Sequence, residues 1–365
     1  MTKTILVIIH DFRGGGAEKV SISLANEFSR LGHRVHIAAL NDEGPMKAIL
    51  NPEIQVGILR SRRVLFSIHL ILNAIRKVKP DLLISHMTHI NVATSISARL
   101  IGYHNRHVAV EHNMMEKNFK LLNSTTVKLA YKLSKWVYKW PNKIVAVSNG
   151  VKNSVISFCN IPESKMAVIY NPVVEDSHLL RERSRDSSLH HFFSNNSKPV
   201  FLGVGSLTEQ KNFANLIRAF YLVKKELESN LLILGEGPLR SELKAEIASL
   251  KLNDSVELLG FKKNVPDYML AADVFVLSSD WEGLPTVLIE AMSYNMRVVS
   301  TACPSGPDEI LLNGKYGDLA ELNNPRDLAN KMISAVLNQQ IATRVRARDF
   351  LSRKAAQKYL ELLGN

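Results

Sequence analysis

Only two cysteines, Cys159 and Cys303, occur among the 365 residues. That is too few for a disulfide-stapled secreted scaffold or for a four-thiolate metal site. They suit buried thiols of a reducing compartment. No apolar run approaches the roughly 18 residues that a membrane-spanning helix needs. The first run, Ile5–Ile9, is shorter than a signal-peptide core and is closely followed by Asp11. No internal repeat of fixed period is visible. Acidic residues are scarce in one half only. Residues 1–172 hold 23 basic and 10 acidic side chains, whereas 173–365 hold 23 and 24. The formal charge of +12 therefore resides entirely in the first half.

What is present is an ordinary globular composition, 46% hydrophobic and 22% charged, at a length that suggests two domains. Short apolar runs read as buried strands at Ile5–Ile9, Arg34–Leu40, Leu82–Ser85, His107–Val110, Ile144–Val147 and Met166–Ile169. Amphipathic stretches such as Ala17–Leu31, Ile68–Lys77 and Asn118–Trp140 read as helices between them. Strands apolar on both faces and separated by helices imply a parallel sheet covered on both sides. Residues 175–198 interrupt this alternation with polar residues and turn formers, and are left unassigned. A second series follows at Val200–Val204, Leu231–Leu234, Val256–Leu259, Val274–Leu277 and Arg297–Thr301. The expected α/β architecture has two Rossmann-like, doubly wound domains, 1–172 and 173–345. A C-terminal helix in 346–365 is expected to pack back toward the first. Ligands bind at the strand C-termini of such sheets, so the default site is a cleft across which the domains face each other.

Gly14-Gly15-Gly16-Ala17-Glu18 follows the first strand directly. Glycines there let a backbone approach a ligand, and the helix N-terminus offers free N–H groups to a phosphate. A dinucleotide-binding dehydrogenase is the competing reading, but the spacing is not G-x-G-x-x-G, and Asp42 lies further on than that fingerprint expects. A simple tight turn is the plain alternative. More specific is the stretch from Asp273 to Thr301. A strand ends at Ser278–Ser279, a loop carries Glu282-Gly283-Leu284-Pro285, and the following helix contains Glu290. Pro285 suits a first helical turn. Two carboxylates beside a helix N-terminus suit a ligand with hydroxyls at both ends and a phosphate between.

Glu282-x7-Glu290 followed by Ala291-Met292 resembles the E-x7-E signature of the GT4-type glycosyltransferases, a retaining family with the GT-B fold. The resemblance extends along nearly the whole chain. It takes in the Gly-rich loop, Glu111-His112-Asn113, Val147-Ser148, Tyr170-Asn171-Pro172, Gly205-Ser206-Leu207 with Gln210-Lys211-Asn212, Gly235-Glu236-Gly237-Pro238, Leu259-Gly260-Phe261 and Cys303-Pro304-Ser305-Gly306-Pro307. It implies a donor site in which Glu290 holds the ribose of a nucleotide sugar. Glu282 and the backbone of Gly283, Leu284 and Pro285 would hold the transferred sugar. Lys211, with the helix N-termini at Pro285 and at Gly15 and Gly16, would face the diphosphate, and His112 would sit near the reacting centre. The backbone at Gly260 would line the base pocket. Ser206 stands where the family often has Arg, so leaving-group stabilisation would rest more on Lys211. By this resemblance His112, Glu282 and Lys211 are the expected catalytic residues.

The implied reaction moves a hexose or N-acetylhexosamine to an acceptor with retention, by front-face attack assisted by the leaving phosphate. UDP is the carrier most frequent in the family, with GDP the alternative. No cofactor is implied, because the nucleotide sugar is a co-substrate. No Asp-x-Asp pair and no trusted His spacing is present, so metal-independent chemistry is expected.

The basic half has a pattern of its own. Lys128, Lys132, Lys135 and Lys139 recur at helical spacing, interleaved with Tyr131, Trp136, Tyr138 and Trp140. Arg60-Ser61-Arg62-Arg63 and Arg76-Lys77-Val78-Lys79 add to the same domain. Basic and aromatic residues together suit an anionic membrane surface. A solvated cationic helix with its aromatics in the core is the plain alternative. Nucleic acid is not expected, since no recognition motif accompanies the charge. The expectation is a bacterial surface-polysaccharide enzyme (capsule, O-antigen or lipopolysaccharide), cytoplasmic and peripheral on the inner membrane face, with a polyprenyl-diphosphate-linked glycan as acceptor. The rivals are a transferase with a soluble acceptor and a non-catalytic nucleotide-sugar-binding subunit.

Overall fold

The computed structural model describes residues 1–13, 15–61, 67–339 and 341–362, and in it the chain forms two units. The first comprises Met1–Val173 with Ser352–Asn365, and the second Val174–Leu351.

Seven parallel strands build the first unit: β1 (Thr4–Ile9), β2 (Arg34–Ala39), β3 (Gln55–Ile58), β4 (Leu82–His86), β5 (His107–Glu111), β6 (Lys143–Ala146) and β7 (Met166–Val168). They lie in the order β3-β2-β1-β4-β5-β6-β7. Ile5, Leu6, Val7 and Ile8 of β1 are wholly buried, as a central strand covered on both faces requires. The edge strand β3 is only half covered, and its sequence Gln-Val-Gly-Ile carries no apolar run, which is why it escapes a reading by hydrophobicity. The helix Gly16–Arg30 buries Val20, Leu24 and Phe28, and Tyr359 of the helix Ser352–Glu361 meets Phe28 edge-on at 6.4 Å. That return starts at Ser352, not at 346. Residues 346–351 stay with the second unit, where the Arg346 guanidinium donates to the Ile310 and Glu309 carbonyls at 2.9 and 2.8 Å.

The expected helix Asn118–Trp140 is two helices, Met115–Leu121 and Thr125–Val137. Leu122 and Ser124 adopt extended backbone between them (φ −68°, ψ 131° and φ −78°, ψ 119°). Asn123-Ser124 supplies turn formers in the middle of a run whose helical spacing continues through it.

Six parallel strands build the second unit: β8 (Val200–Val204), β9 (Asn230–Leu234), β10 (Val256–Gly260), β11 (Val274–Leu277), β12 (Arg297–Thr301) and β13 (Asp318–Ala320), in the order β10-β9-β8-β11-β12-β13. Phe201, Phe220, Leu231, Val274 and Leu328 centre its core. Residues 175–198 are packed, not loose. Phe192 and Phe193 are buried, and Arg185 gathers the carbonyls of Phe193, Asn195 and Lys198 while pairing with Asp273 at 3.1 Å.

In each sheet the chain winds outward from the middle in both directions. The reversal lies between β1 and β4 in the first unit and between β8 and β11 in the second. The crevice at the strand C-termini beside such a reversal is where open α/β sheets bind ligands.

Candidate functional site

In the second unit the loops after β8 and β11 flank that reversal, and they bring Lys211 and Glu282 together. Lys211 closes a 3-10 turn, Glu209–Lys211, and its Nζ lies 2.6 Å from Glu282 Oε1. Ser279 donates to the same carboxylate oxygen at 2.7 Å. Lys211 and Glu282 side chains are only 16% and 8% exposed, so each charge is compensated chiefly by the other. Backbone and side-chain bonds lace the two loops. Ser278 Oγ donates to Lys211 O at 2.8 Å, Asp280 N to Gln210 O at 2.9 Å, and Gln210 Nε2 to Trp281 O at 3.0 Å. Asn212, at φ 42°, caps the helix Phe213–Glu226 by accepting from Asn215 N and also donates to Asp280.

Gly283, Leu284 and Pro285 are buried and lead into the helix Thr286–Ser293, with Pro285 as its N-cap residue, one place before the first helical turn that the sequence suggests. The loop after β12 clamps them. Ser305 Oγ donates to Gly283 O at 2.8 Å, and a Cβ on Gly306 (φ 103°) would stand 2.5 Å from Pro285 Cδ. Glu290 lies half-buried on the helix. Ser206 is exposed beside Gly205, over which the stem of Lys211 passes. Gly260 ends β10 at φ 75° and accepts from Gly235 N at 2.9 Å. Thus Lys211, Ser206, Gly260, Glu282–Pro285 and Glu290 share one end of the second sheet. The free N–H groups of a helix N-terminus and a buried ammonium are arranged there as an anion site would need.

In the first unit Gly15 caps the helix Gly16–Arg30, and a Cβ on Gly15 would meet Glu18 Oε2 at 2.4 Å. Gly14 lies outside the described residues. His112 follows β5, and its Nε2 is 2.9 Å from Nδ1 of His86, the last residue of β4. Burial pushes His112 down to about 4 and His86 well below the ordinary range, the second further opposed by His112, so both rings are neutral at pH 7. His89, pushed down to about 4 by burial, meets His10 edge-on at 5.8 Å. Burial opposes ionisation of Asp11, yet hydrogen bonds from Arg13 and His10 hold it below the usual carboxylate range. Next to His112, Glu111 is buried among donors. Thr88 Oγ1 and Asn91 Nδ2 give bonds of 2.9 and 3.0 Å, and Tyr138 adds a third.

Sequence reasoning selects His112, sets His86 and His89 aside for want of metal-ligand spacing, and does not single out His10, although the structure gathers all four at this end of the first sheet. Their common signal is position: His10 and His86 close the strands beside the reversal or lie just past them, and His89 opens the helix Thr88–Leu100.

Lys128, Lys132 and Lys135 lie on Thr125–Val137, and Lys139 and Trp140 lie beyond its end. Lys132, Lys135, Lys139, Leu129 and Trp136 are exposed, Trp136 by 61%. Lys128 and Trp140 are half-buried, whereas Tyr131 and Tyr138 belong to the core. Of the Arg60–Arg63 cluster, Arg62 and Arg63 lie outside the described residues. No helix among the described residues is long and apolar enough to cross a membrane.

One group of possible metal ligands, His190, His191 and Glu257, occurs among the described residues, with Glu257 on the edge strand β10. His190 Nδ1 accepts from Phe192 N at 3.1 Å, so in the neutral ring Nε2 carries the proton and donates to Glu257 at 2.8 Å. That nitrogen has no lone pair to offer an ion.

Comparison with known proteins follows the same division of the chain. Residues 14–177 match the model for Glycosyltransferase Family 4, and residues 185–351 that for Glycosyl transferases group 1. An uncharacterized glycosyltransferase of Methanocaldococcus jannaschii is 32% identical over 75% of this chain and 71% of its own. A Campylobacter jejuni N-acetylgalactosamine-N,N'-diacetylbacillosaminyl-diphospho-undecaprenol 4-alpha-N-acetylgalactosaminyltransferase is 30% identical over 88% and 87%. Among solved structures, Anabaena HepE in complex with UDP aligns over 100% of both chains with a TM-score of 0.79 and 20% identity. That likeness gives the fold as GT-B.

Proposed function

Because this chain belongs to the GT4-type, GT-B glycosyltransferases, we propose that it moves a hexose or N-acetylhexosamine from a UDP-sugar, with retention, to a polyprenyl-diphosphate-linked glycan of a bacterial surface polysaccharide. The observation that carries the reading is the buried Lys211–Glu282 pair beside the N-terminus of Thr286–Ser293, at the reversal of the second sheet. The acceptor class is supported by the Campylobacter relative, whose name specifies an undecaprenyl-diphosphate glycan.

In this reading the donor replaces the internal ion pair. The diphosphate takes the Lys211 ammonium, the sugar hydroxyls take Glu282 and the backbone of Gly283–Pro285, and the ribose takes Glu290. Cleavage of the anomeric C–O bond leaves its electron pair on the diphosphate and positive charge on the sugar. Lys211 and the N–H groups after Pro285 stabilise that developing negative charge without reorganising. The departing phosphate oxygen accepts the acceptor hydroxyl's proton as that hydroxyl bonds to the same face of the sugar. No resident metal takes part. The first unit docks on the anionic face of the membrane through the exposed Lys and Trp136 surface.

A panel of nucleotide sugars read by thermal shift names the donor, since a ligand that binds only the folded state raises its midpoint. A UDP-sugar is expected to raise it by several degrees, and Glu290→Gln to remove most of the shift. Lys211→Met should lower kcat about a hundredfold or more. It also strands the buried Glu282, which costs about 3 kcal/mol, so activity is compared well below each variant's own midpoint. Transfer unchanged in both variants would refute this site.

A further inference from the structure

His86 has no part in the reaction as described, yet it is placed to control His112, which the family resemblance puts near the reacting centre. Its ring is 2% exposed, lies nearly parallel to that of His112 with centroids 5.2 Å apart, and shares one hydrogen bond with it, Nδ1 to Nε2. With both rings neutral, each carries one N–H, and two arrangements are possible. If His112 donates from Nε2, His86 must carry its own proton on Nε2, where it is buried and has no partner among the described residues. If His86 donates from Nδ1, its Nε2 is a bare lone pair. A buried N–H without an acceptor is the rarer and costlier defect, so the second arrangement prevails. His112 then carries its proton on Nδ1, which makes no hydrogen bond to any described residue and belongs to a ring that keeps 9% exposure.

A second observation marks the same spot. Met87, which follows His86, has φ 75° and ψ 136°, a backbone conformation that side chains rarely adopt. Its N–H donates to Val110 O at 3.2 Å, and its carbonyl accepts from Asn91 N at 2.9 Å. The first bond holds the end of β4 against β5, and the second is the opening bond of the helix Thr88–Leu100. Strain of this kind costs about 1–3 kcal/mol and persists where the surroundings enforce it, often at functional sites.

We propose that His86 is a positioning residue. By donating from Nδ1 to His112 Nε2, it fixes His112 as the Nδ1–H tautomer, so that His112 meets the donor sugar as a hydrogen-bond donor to a hydroxyl oxygen and not as a base. The inference rests on the reading of His112 as a sugar-contacting residue.

The test is nitrogen NMR of the full chain labelled at histidine, with the His112 signals assigned by their loss in His112→Gln. In the unmodified protein Nδ1 of His112 should be protonated and Nε2 bare. In His86→Leu the proton should move to Nε2, and kcat should fall about tenfold or more while donor KM stays within about twofold. His86→Asn, whose amide N–H lies where His Nδ1–H lies, should restore the tautomer and most of kcat. A His112 found as the Nε2–H tautomer in the unmodified protein overturns the proposal, and that measurement needs no variant at position 86 to fold. So does a His86→Leu protein with unchanged tautomer and kcat, or a failure of His86→Asn to rescue. If the tautomer is as stated but His112→Gln transfers sugar at full rate, the pairing stands, and the sugar-contacting role that the resemblance implies for His112 falls with the positioning role built on it.

Discussion

Glu111 illustrates how one residue's environment fixes its chemistry. It closes β5 immediately before His112 and is 2% exposed. Burial raises its pKa to about 7, and the bonds from Tyr138, Asn91 and Thr88 offset only part of that. The groups around it are neutral near pH 6: Tyr138 and Tyr131 are held above their ordinary phenol values, Cys159 is pushed up to about 12, and His112 is down near 4. In the unfolded chain the same carboxyl ionises near 4.5. The folded state therefore binds the proton more tightly, and its contribution to stability is full below pH 4.5 and lost as pH rises through about 7. Glu111→Gln keeps an acceptor for Tyr138 and cannot ionise. Urea midpoints taken from pH 4 to pH 8 should show the unmodified protein losing stability relative to Glu111→Gln between about pH 4.5 and 7, by up to about 1.4 kcal/mol per pH unit, with a constant difference above that. A difference independent of pH would show that Glu111 is ionised in the fold.

Between elements, the glycines at the strand ends show which close approaches the second unit depends on. Gly235 follows β9 at φ 141°, and a Cβ there would stand 1.8 Å from the Gly205 carbonyl oxygen, on the loop after β8. Backbone is what would have to move. Gly260 at φ 75° would place a Cβ 2.7 Å from Glu236 Oε1, the free end of a side chain that can swing away, although Arg240 pairs with it at 2.9 Å. Gly235→Ala should therefore cost well over 2 kcal/mol and displace the loop that carries Lys211, whereas Gly260→Ala should cost about 1–2 kcal/mol. Denaturant midpoints of the two variants measure this, and equal losses would mean the loops after β8 and β9 yield freely. The same contrast explains which elements were legible in sequence. Central strands such as β1 and β8 announce themselves because both faces are apolar, while β3 and β13 are short, partly exposed edges without such runs. The break at Leu122–Ser124 was hidden because helical spacing continues across it.

At the scale of the whole chain, the candidate residues of the second unit were readable because a contiguous motif carries them: Glu282 to Glu290 span one loop and one helix, and Lys211 has its own local pattern. The histidines of the first unit were not, because sheet order and not sequence proximity places His86 of β4 beside His112 after β5, and His10 after β1 beside His89. Net charge, by contrast, needs no fold to be counted, and the fold adds which part of it faces water. The exposed Lys132, Lys135 and Lys139 flank Trp136 and Leu129, so the cationic surface also offers apolar side chains. A lysine held near an anionic membrane contributes about 1 kcal/mol, and an exposed tryptophan adds interfacial burial. Replacing the three lysines by Ala should thus weaken partition onto phosphatidylglycerol-containing vesicles about a hundredfold. Trp136→Ala should weaken it further, and raising the ionic strength to about 1 M, where the Debye length falls to about 3 Å, should weaken partition of the unmodified protein. Lys225, Lys244 and Lys251 are likewise exposed on the near-neutral second unit, and their replacement by Ala should leave partition intact. Sedimentation that is equal for neutral and anionic vesicles, or equal loss from both triple variants, would mean that the charge excess of residues 1–172 serves solubility and not docking.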